Sequence, residues 1–223
     1  MIRTRLALCL LLAAATPAFA GDGDIDKVNG SISIDATRQA GDLDTVNGSI
    51  RIGANATTGD ASTVNGSIHL DDGAHTGALE TVNGSIRAGG GLVVDGGVET
   101  VNGSIFLDHG SRVAKGVSTV NGAIGLVRTE LGGGIETVNG DITVGIGSHV
   151  KGGIKVEKSN NNFLGFHIGK SRPPRIIIGP NAVVDGPLVF EREVKLYVHS
   201  TAKTGPITGA TAVRFDTPTA PQD

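Results

Sequence analysis

Apolar and polar residues alternate in short bursts along this chain, and the bursts return at an even interval. In Leu43-Asp44-Thr45-Val46-Asn47-Gly48-Ser49-Ile50-Arg51-Ile52, the β-branched residues and the Ile50/Ile52 alternation predict strand, with Asn47-Gly48 as punctuation. The phrase Val-Asn-Gly recurs with its asparagine at Asn29, Asn47, Asn65, Asn83, Asn102, Asn121 and Asn139, at intervals of 18 or 19 residues. Thr usually precedes it and Ser-Ile usually follows. A unit this short cannot bury its own apolar side chains, so successive units must stack. A second rhythm fills the rest of each unit: Val94-x-x-Gly97-Val98, Val113-x-x-Gly116-Val117 and Val150-x-x-Gly153-Ile154. Two or three short strands separated by glycine corners then make one coil, and neighbouring coils pair in parallel about 4.8 Å apart.

The expected fold is all-β: a single-stranded β-solenoid, or parallel β-helix, with coils of about 18 residues. Seven or more coils give a rod of roughly 35 to 45 Å. Three hexapeptides also make such a coil, which brings in the left-handed β-helix as a competitor. Stepping by six from Val46 gives Ile52 and then Thr58, so the hexad is not sustained and a right-handed coil is favoured. The expected inward set is Val28, Ile32, Ile34, Val46, Ile50, Ile52, Val64, Ile68, Leu70, Val82, Ile86, Val101, Ile105, Leu107, Val120, Ile124, Leu126, Val138, Ile142 and Val144.

Past Ile154 the phrase stops. Lys158-Ser-Asn-Asn-Asn162, Phe163, Phe166 and Arg172-Pro-Pro-Arg175 read as an irregular, basic insertion. The rhythm returns in Val183-x-x-Gly186-Pro-Leu188 and Ala202-x-x-Gly205-Pro-Ile207, and Phe190, Tyr197 and Phe215 supply larger side chains to close that end. Residues 1–20 read as a signal peptide, 21–157 as regular coils, 158–175 as the inserted loop, 176–216 as further coils with a cap, and 217–223 as a frayed tail.

The leader is marked by Arg3 and Arg5, the apolar run from Leu6 to Ala15, and Ala18-Phe19-Ala20 before Gly21. The apolar run is shorter than the roughly 20 residues of a membrane span, so no transmembrane segment is expected after cleavage. The location expected is periplasmic, extracellular or cell-surface. Cys9 is the only cysteine and lies within the leader, so disulfides, thiolate metal sites and cysteine nucleophiles are not expected in the exported chain. Losing Arg3 and Arg5 takes the formal charge from −3 to −5, a poor balance for binding nucleic acid. With 35 glycines, no tryptophan and one tyrosine, a conventional globular core is hard to fill, and a solenoid of small and β-branched residues avoids that difficulty.

The most uniform polar feature is a pair of ladders, Thr45, Thr63, Thr81, Thr100, Thr119 and Thr137 beside Asn47, Asn65, Asn83, Asn102, Asn121 and Asn139. Thr and Asn stand two apart and so share a strand face. Facing outward, they form a flat grid with roughly 4.8 Å between rungs, suited to ice or carbohydrate. With Asn at the corner instead, each amide stacks on the next coil's amide and satisfies backbone groups. The matching glycosylation sequons recur because the coil recurs. The residue between the inward aliphatics varies freely (Ser33, Arg51, His69, Arg87, Phe106, Gly125, Thr143), as solvent exposure allows.

The six histidines, His69, His75, His109, His149, His167 and His199, show no common register with one another or with an acidic partner, and no metal or other cofactor is expected. Asp22, Asp24 and Asp26 lack the later ligands of a calcium loop and read as a charged edge. Asp71-Asp72 and Asp108 do not form a catalytic pair, so an enzyme is not expected. On the insertion, Lys158, Lys170, Arg172 and Arg175 near Phe163 and Phe166 form a candidate partner loop, with coverage of the core by the phenylalanines as the plainer alternative.

The stacked Thr-Val-Asn-Gly-Ser-Ile phrases over residues 25–156 resemble the bacterial β-strand-repeat proteins grouped as candidate adhesins. The Gly-x-x-Val-x-x-Gly-[Val/Ile] rhythm at Gly110 to Val117 and Gly147 to Ile154 is similar to that of bactofilins, the polymer-forming β-helical scaffolds. The resemblance implies a right-handed β-helix and a structural or surface role, with self-association or an envelope or extracellular polymer as partner. It transfers no catalytic residue, and the leader departs from the cytoplasmic bactofilin pattern.

Overall fold

The computed structural model describes residues 23–158 and 172–222. Its 27 strands form a parallel β-solenoid with three faces. The first face holds ten strands, from Ile25–Asn29 through Leu43–Asn47 and onward to Ile207–Thr208; the second holds ten, from Ile32–Ile34 to Ala212–Phe215. The third is a seven-stranded sheet running from His75–Thr76 to Lys203–Thr204. In the earliest coils that third face is reduced to the bridges Gln39↔Thr57 and Thr57↔His75. The leader assigned to residues 1–20 lies outside the described residues.

Each coil places like on like. Ile32, Ile50, Ile68, Ile86, Ile105, Ile124 and Ile142 form one buried file, and Ile34, Ile52, Leu70, Ala88, Leu107, Leu126 and Val144 a second. Burying each large aliphatic side chain contributes roughly 1.5 to 3 kcal/mol, and the ladders repeat that gain at every rung.

The first face corrects the expected inward set. Its inward file is Leu43, Ala61, Leu79, Val98, Val117, Ile135, Ile154 and Leu188, and two positions later come the buried threonines, Thr45 to Thr137, each at most 4% exposed. Val46, Val64, Val82, Val101, Val120 and Val138 therefore point outward and are half-buried, and Val28 is 66% exposed. A strand has period two, so Leu43 at one inward position fixes Thr45 inward and Val46 outward.

Glycine in the phrase is demanded by packing. A Cβ added at Gly48, Gly66, Gly84, Gly103, Gly122 or Gly140 would sit 1.8–2.2 Å from the carbonyl oxygen of the phrase glycine one coil earlier. A second corner, just before the third face, requires a left-handed backbone once per coil: Thr37, Asn55, Gly73, Gly91, Gly110, Arg128, Gly147 and Asn181 all have φ between 42° and 74°. Glycine adopts this conformation freely, whereas Arg128 at φ 42° is strained.

The two ends differ. At the first rung Lys27 occupies the threonine file, and its Nζ donates to Ser31 O at 2.7 Å. At the other end Phe190 and Phe215 are buried, and Phe215 meets His199 edge-on at 5.0 Å. Tyr197, expected in the cap, instead faces outward. The inserted segment leaves after Ile154–Val156, and the chain is back in register by Arg175–Ile178, so Arg175, read from sequence as loop, is already strand. In the segment read as a frayed tail, Pro221 O accepts a hydrogen bond from Arg175 Nη2.

Two substitutions test these corners by urea denaturation. Gly66→Ala should cost roughly 3 kcal/mol, since the obstruction is backbone. Arg128→Gly should gain up to about 1 kcal/mol through relief of strain.

Candidate functional site

The repeated phrase is where the sequence is most uniform, and in the fold it is a seam of axial hydrogen bonds. Thr Oγ1 of one coil donates to the phrase-glycine carbonyl of the coil before: Thr45 to Gly30, Thr63 to Gly48, Thr81 to Gly66, Thr100 to Gly84 and Thr119 to Gly103, at 2.9–3.1 Å. Asn Nδ2 donates to Asn Oδ1 one coil earlier, continuously from Asn139 back through Asn121, Asn102, Asn83, Asn65 and Asn47 to Asn29, at 2.9–3.1 Å. Ser Oγ then accepts the backbone N–H of the equivalent residue one coil on, from Ser31 to Ser104, at 3.2–3.3 Å.

The outward Thr/Asn grid does not form. Thr is inside, and Asn, two residues on, is exposed where the chain turns out of the strand. The corner reading of Asn is the one the geometry realises. Each amide inside the ladder is committed on both sides, as donor to one coil and acceptor from the next. Thr137 departs from its file, because its Oγ1 accepts from Gly140 N at 3.1 Å. The last acceptor, Asn139 Oδ1, is taken by Arg192 Nη1, which also donates to Val138 O at 3.0 Å.

A second polar ladder escaped the sequence reading. Asp24, Asp42 and Asp60 each present Oδ1 to the backbone N–H one coil later, at Asp42, Asp60 and Ala78, over 2.6–2.9 Å. Asp24, read as part of a charged edge, therefore also knits coils together. The signal was present as three aspartates at the phrase interval.

The outer faces carry columns of different chemistry. On the first face Asp26, Asp44, Ser62, Glu80, Glu99, Ser118 and Glu136 stand in register beside the valine column. A groove of about 480 Å³ runs there, lined by Gly97, Gly116 and Gly134 together with Glu80, Glu99, Glu136 and Lys115. Burial pushes the Asp44 carboxyl above its ordinary range; the hydrogen bond from Ser62 opposes this, and the charges of Asp26, Asp42 and Asp24 add to it.

On the third face Glu130 lies 3.0 Å from Lys151 and 3.1 Å from Arg112, and hydrogen bonds from these two hold its carboxyl below the ordinary range. The histidines correct another expectation. His75 meets Asp95 at 2.9 Å and His149 meets Asp185 at 2.7 Å, both from the same outward column of the third face, while His69 joins Arg51 on Asp71. His109 is 3.2 Å from its neighbour Asp108. The partners of His75 and His149 lie a full coil onward, so no local motif announces them. Among the described residues no three metal-ligating side chains converge.

Of the candidate partner loop, Phe163, Phe166 and Lys170 lie outside the described residues, as does His167. Lys158 is exposed, and its backbone N–H donates to Glu191. Arg172 pairs with Asp141, whose other oxygen accepts Arg175 N at 2.8 Å. The Arg175 guanidinium lies 4.9 Å over the Tyr197 ring, a stacking contact that uses both side chains locally. Arg172 and Arg175 are thus engaged with the coils through their side chains, and Lys158 through its backbone.

No known protein family, curated protein or solved structure matches this chain.

Thr81→Val separates the two orientations by denaturation. Inside the seam it leaves the Gly66 carbonyl without its donor and should cost about 1 to 2 kcal/mol, whereas an outward threonine would be replaced at almost no cost. Asp44→Asn should raise the thermal midpoint at neutral pH. A carboxyl whose folded pKa is raised favours the fold below its unfolded pKa and loses that contribution as pH rises through the folded value. The gain from Asp44→Asn should therefore fade on acidification, followed by thermal scans across a pH series.

Proposed function

We propose that this chain is an exported, non-enzymatic rod acting as a structural or adhesive element of the cell envelope, and that it works through its lateral faces. One observation carries this reading: the polar groups repeated from coil to coil are spent on axial bonds, so the surface left to a partner consists of long columns of side chains and not a compact reactive centre. Export is supported by the basic start, apolar run and small-residue cleavage pattern of residues 1–20. The resemblance to adhesin-like strand repeats supports a surface role.

The ends favour lateral contact over end-to-end growth. Lys27 places a cation on the inward file of the first rung, and a charged inward residue blocks strand addition at an edge. Phe215 and His199 close the other end with ring contacts. The first face offers the longest uniform surface, with valines beside acids, and a repeating polymer contacts such a surface at many rungs at once. Weak contacts made at several rungs add through effective concentration.

Light scattering over a concentration series, with co-sedimentation on insoluble envelope polysaccharide, tests the proposal. The expected result is a size independent of concentration and retention by the polymer that weakens in Glu80→Gln/Glu99→Gln/Glu136→Gln. Growth into filaments would replace the lateral reading with self-assembly. Release of soluble sugar from the polymer would overturn the non-enzymatic reading.

A further inference from the structure

Seven Asn-Gly pairs in one chain pose a chemical problem, because Asn-Gly is the dipeptide that cyclises most readily. The glycine nitrogen, once deprotonated, bonds to the asparagine Cγ; the Cγ–Nδ2 bond breaks, and the amide leaves as ammonia with the proton that glycine gave up. Water then opens the cyclic imide at either carbonyl, giving aspartate or isoaspartate. The balance consumes one water and releases one ammonia, with no redox change.

The fold opposes both requirements in its interior. Deprotonation is disfavoured at the first rung as well, since Gly30 N–H is bound to Asn47 O at 2.9 Å just as Gly48, Gly66, Gly84 and Gly103 N–H are bound to the next coil's asparagine carbonyl at 2.9–3.2 Å. The pairs therefore differ in their side chains. In the interior the asparagine side chains are clamped from both sides by the amide ladder, which holds Cγ away from the nitrogen that must reach it. Asn139 has no further asparagine above it, but Arg192 Nη1 occupies its Oδ1 and Gly140 N is bound to Thr137 Oγ1.

Asn29 is the exception. Its Oδ1 accepts from Asn47 at 3.1 Å, but among the described residues nothing accepts from its Nδ2. Its strand pairs on one side only, and Asp26, Lys27, Val28 and Asn29 are all exposed. Gly30 has φ +119°, a positive value that only Gly122, at +149°, shares among the phrase glycines. Opening this rung breaks one set of axial bonds, whereas opening an interior rung breaks two.

We infer that Asn29-Gly30 is a site of intramolecular deamidation, and that the amide ladder and its Arg192 cap protect the other six pairs. Conversion adds a negative charge to an edge that already carries Asp24 and Asp26. The isoaspartate form also inserts a methylene into the backbone at the residue paired with Asn47, which disturbs the first rung.

Site-resolved peptide mass spectrometry of the purified protein, incubated in mildly alkaline buffer, tests this. Asn29 should convert at least about tenfold faster than Asn47, Asn65, Asn83, Asn102 or Asn121, a factor equivalent to about 1.4 kcal/mol of opening cost. In concentrated urea the seven rates should converge. Arg192→Ala should accelerate Asn139 and leave Asn83 unchanged. Equal native rates at Asn29 and Asn83 would overturn the assignment, and an unaltered Asn139 rate in Arg192→Ala, with the fold retained by circular dichroism, would overturn the role given to the cap.

Discussion

Axial register between successive coils is the constraint from which the rest follows. Each coil has too few residues to enclose a core, so its apolar side chains gain burial only if the next coil presents its own at the same position. The polar groups face the same demand, because a corner repeated every coil stacks its carbonyls and N–H groups directly on those of the coil before. Thr on Gly, Asn on Asn, Ser on backbone N–H and Asp on backbone N–H are four solutions to that one problem. Glycine belongs to the same solution, since the chain runs so close to the coil before that a methyl group at Gly66 would meet a carbonyl at 1.9 Å. The recurrence of the phrase therefore reflects the lattice, and its uniformity is no sign of a ligand.

Much of the architecture was legible in the sequence because a period of 18 or 19 residues is a global signal that survives local ambiguity. The Ile50/Ile52 file was assigned correctly, since both inward positions are aliphatic. The phase of the first face was misread, because Val46 is more apolar than Thr45 and looks the better candidate for the core. Leu43 and Thr45 settle the phase together, and the hydroxyl can be buried because the Gly30 carbonyl receives it. The same error suggested the flat Thr/Asn grid, which also assumed that the strand runs straight through Asn47 when the chain turns there. Contacts a full coil apart were invisible for a different reason: His149 and Asp185 are separated by the insertion, and nothing local marks them as partners.

The outer surface follows another rule. Positions that escape the seam vary from coil to coil, and their ion pairs are exposed contacts of small energetic weight, as with Arg112, Glu130 and Lys151. The acidic and valine columns of the first face are regular because the strand beneath them is regular. A rod built this way separates its tasks: the interior and corners set its length and stiffness, and the side faces remain open to change without loss of the fold. The ends carry exceptions to the repeat, Lys27 in place of threonine and Arg192 in place of a further asparagine, because a lattice that stops must satisfy its last groups by other means.

The claim that the phrase is an axial seam is tested most directly by residue-resolved hydrogen exchange on the native protein. The N–H groups of Gly48, Gly66, Gly84 and Gly103, with those of Ser49, Ser67, Ser85 and Ser104, should be protected as strongly as the flanking strands, with protection falling toward Gly30. Rapid exchange at these glycines and serines beside protected strands would show that the phrase is a solvent-facing turn, and the seam would be contradicted.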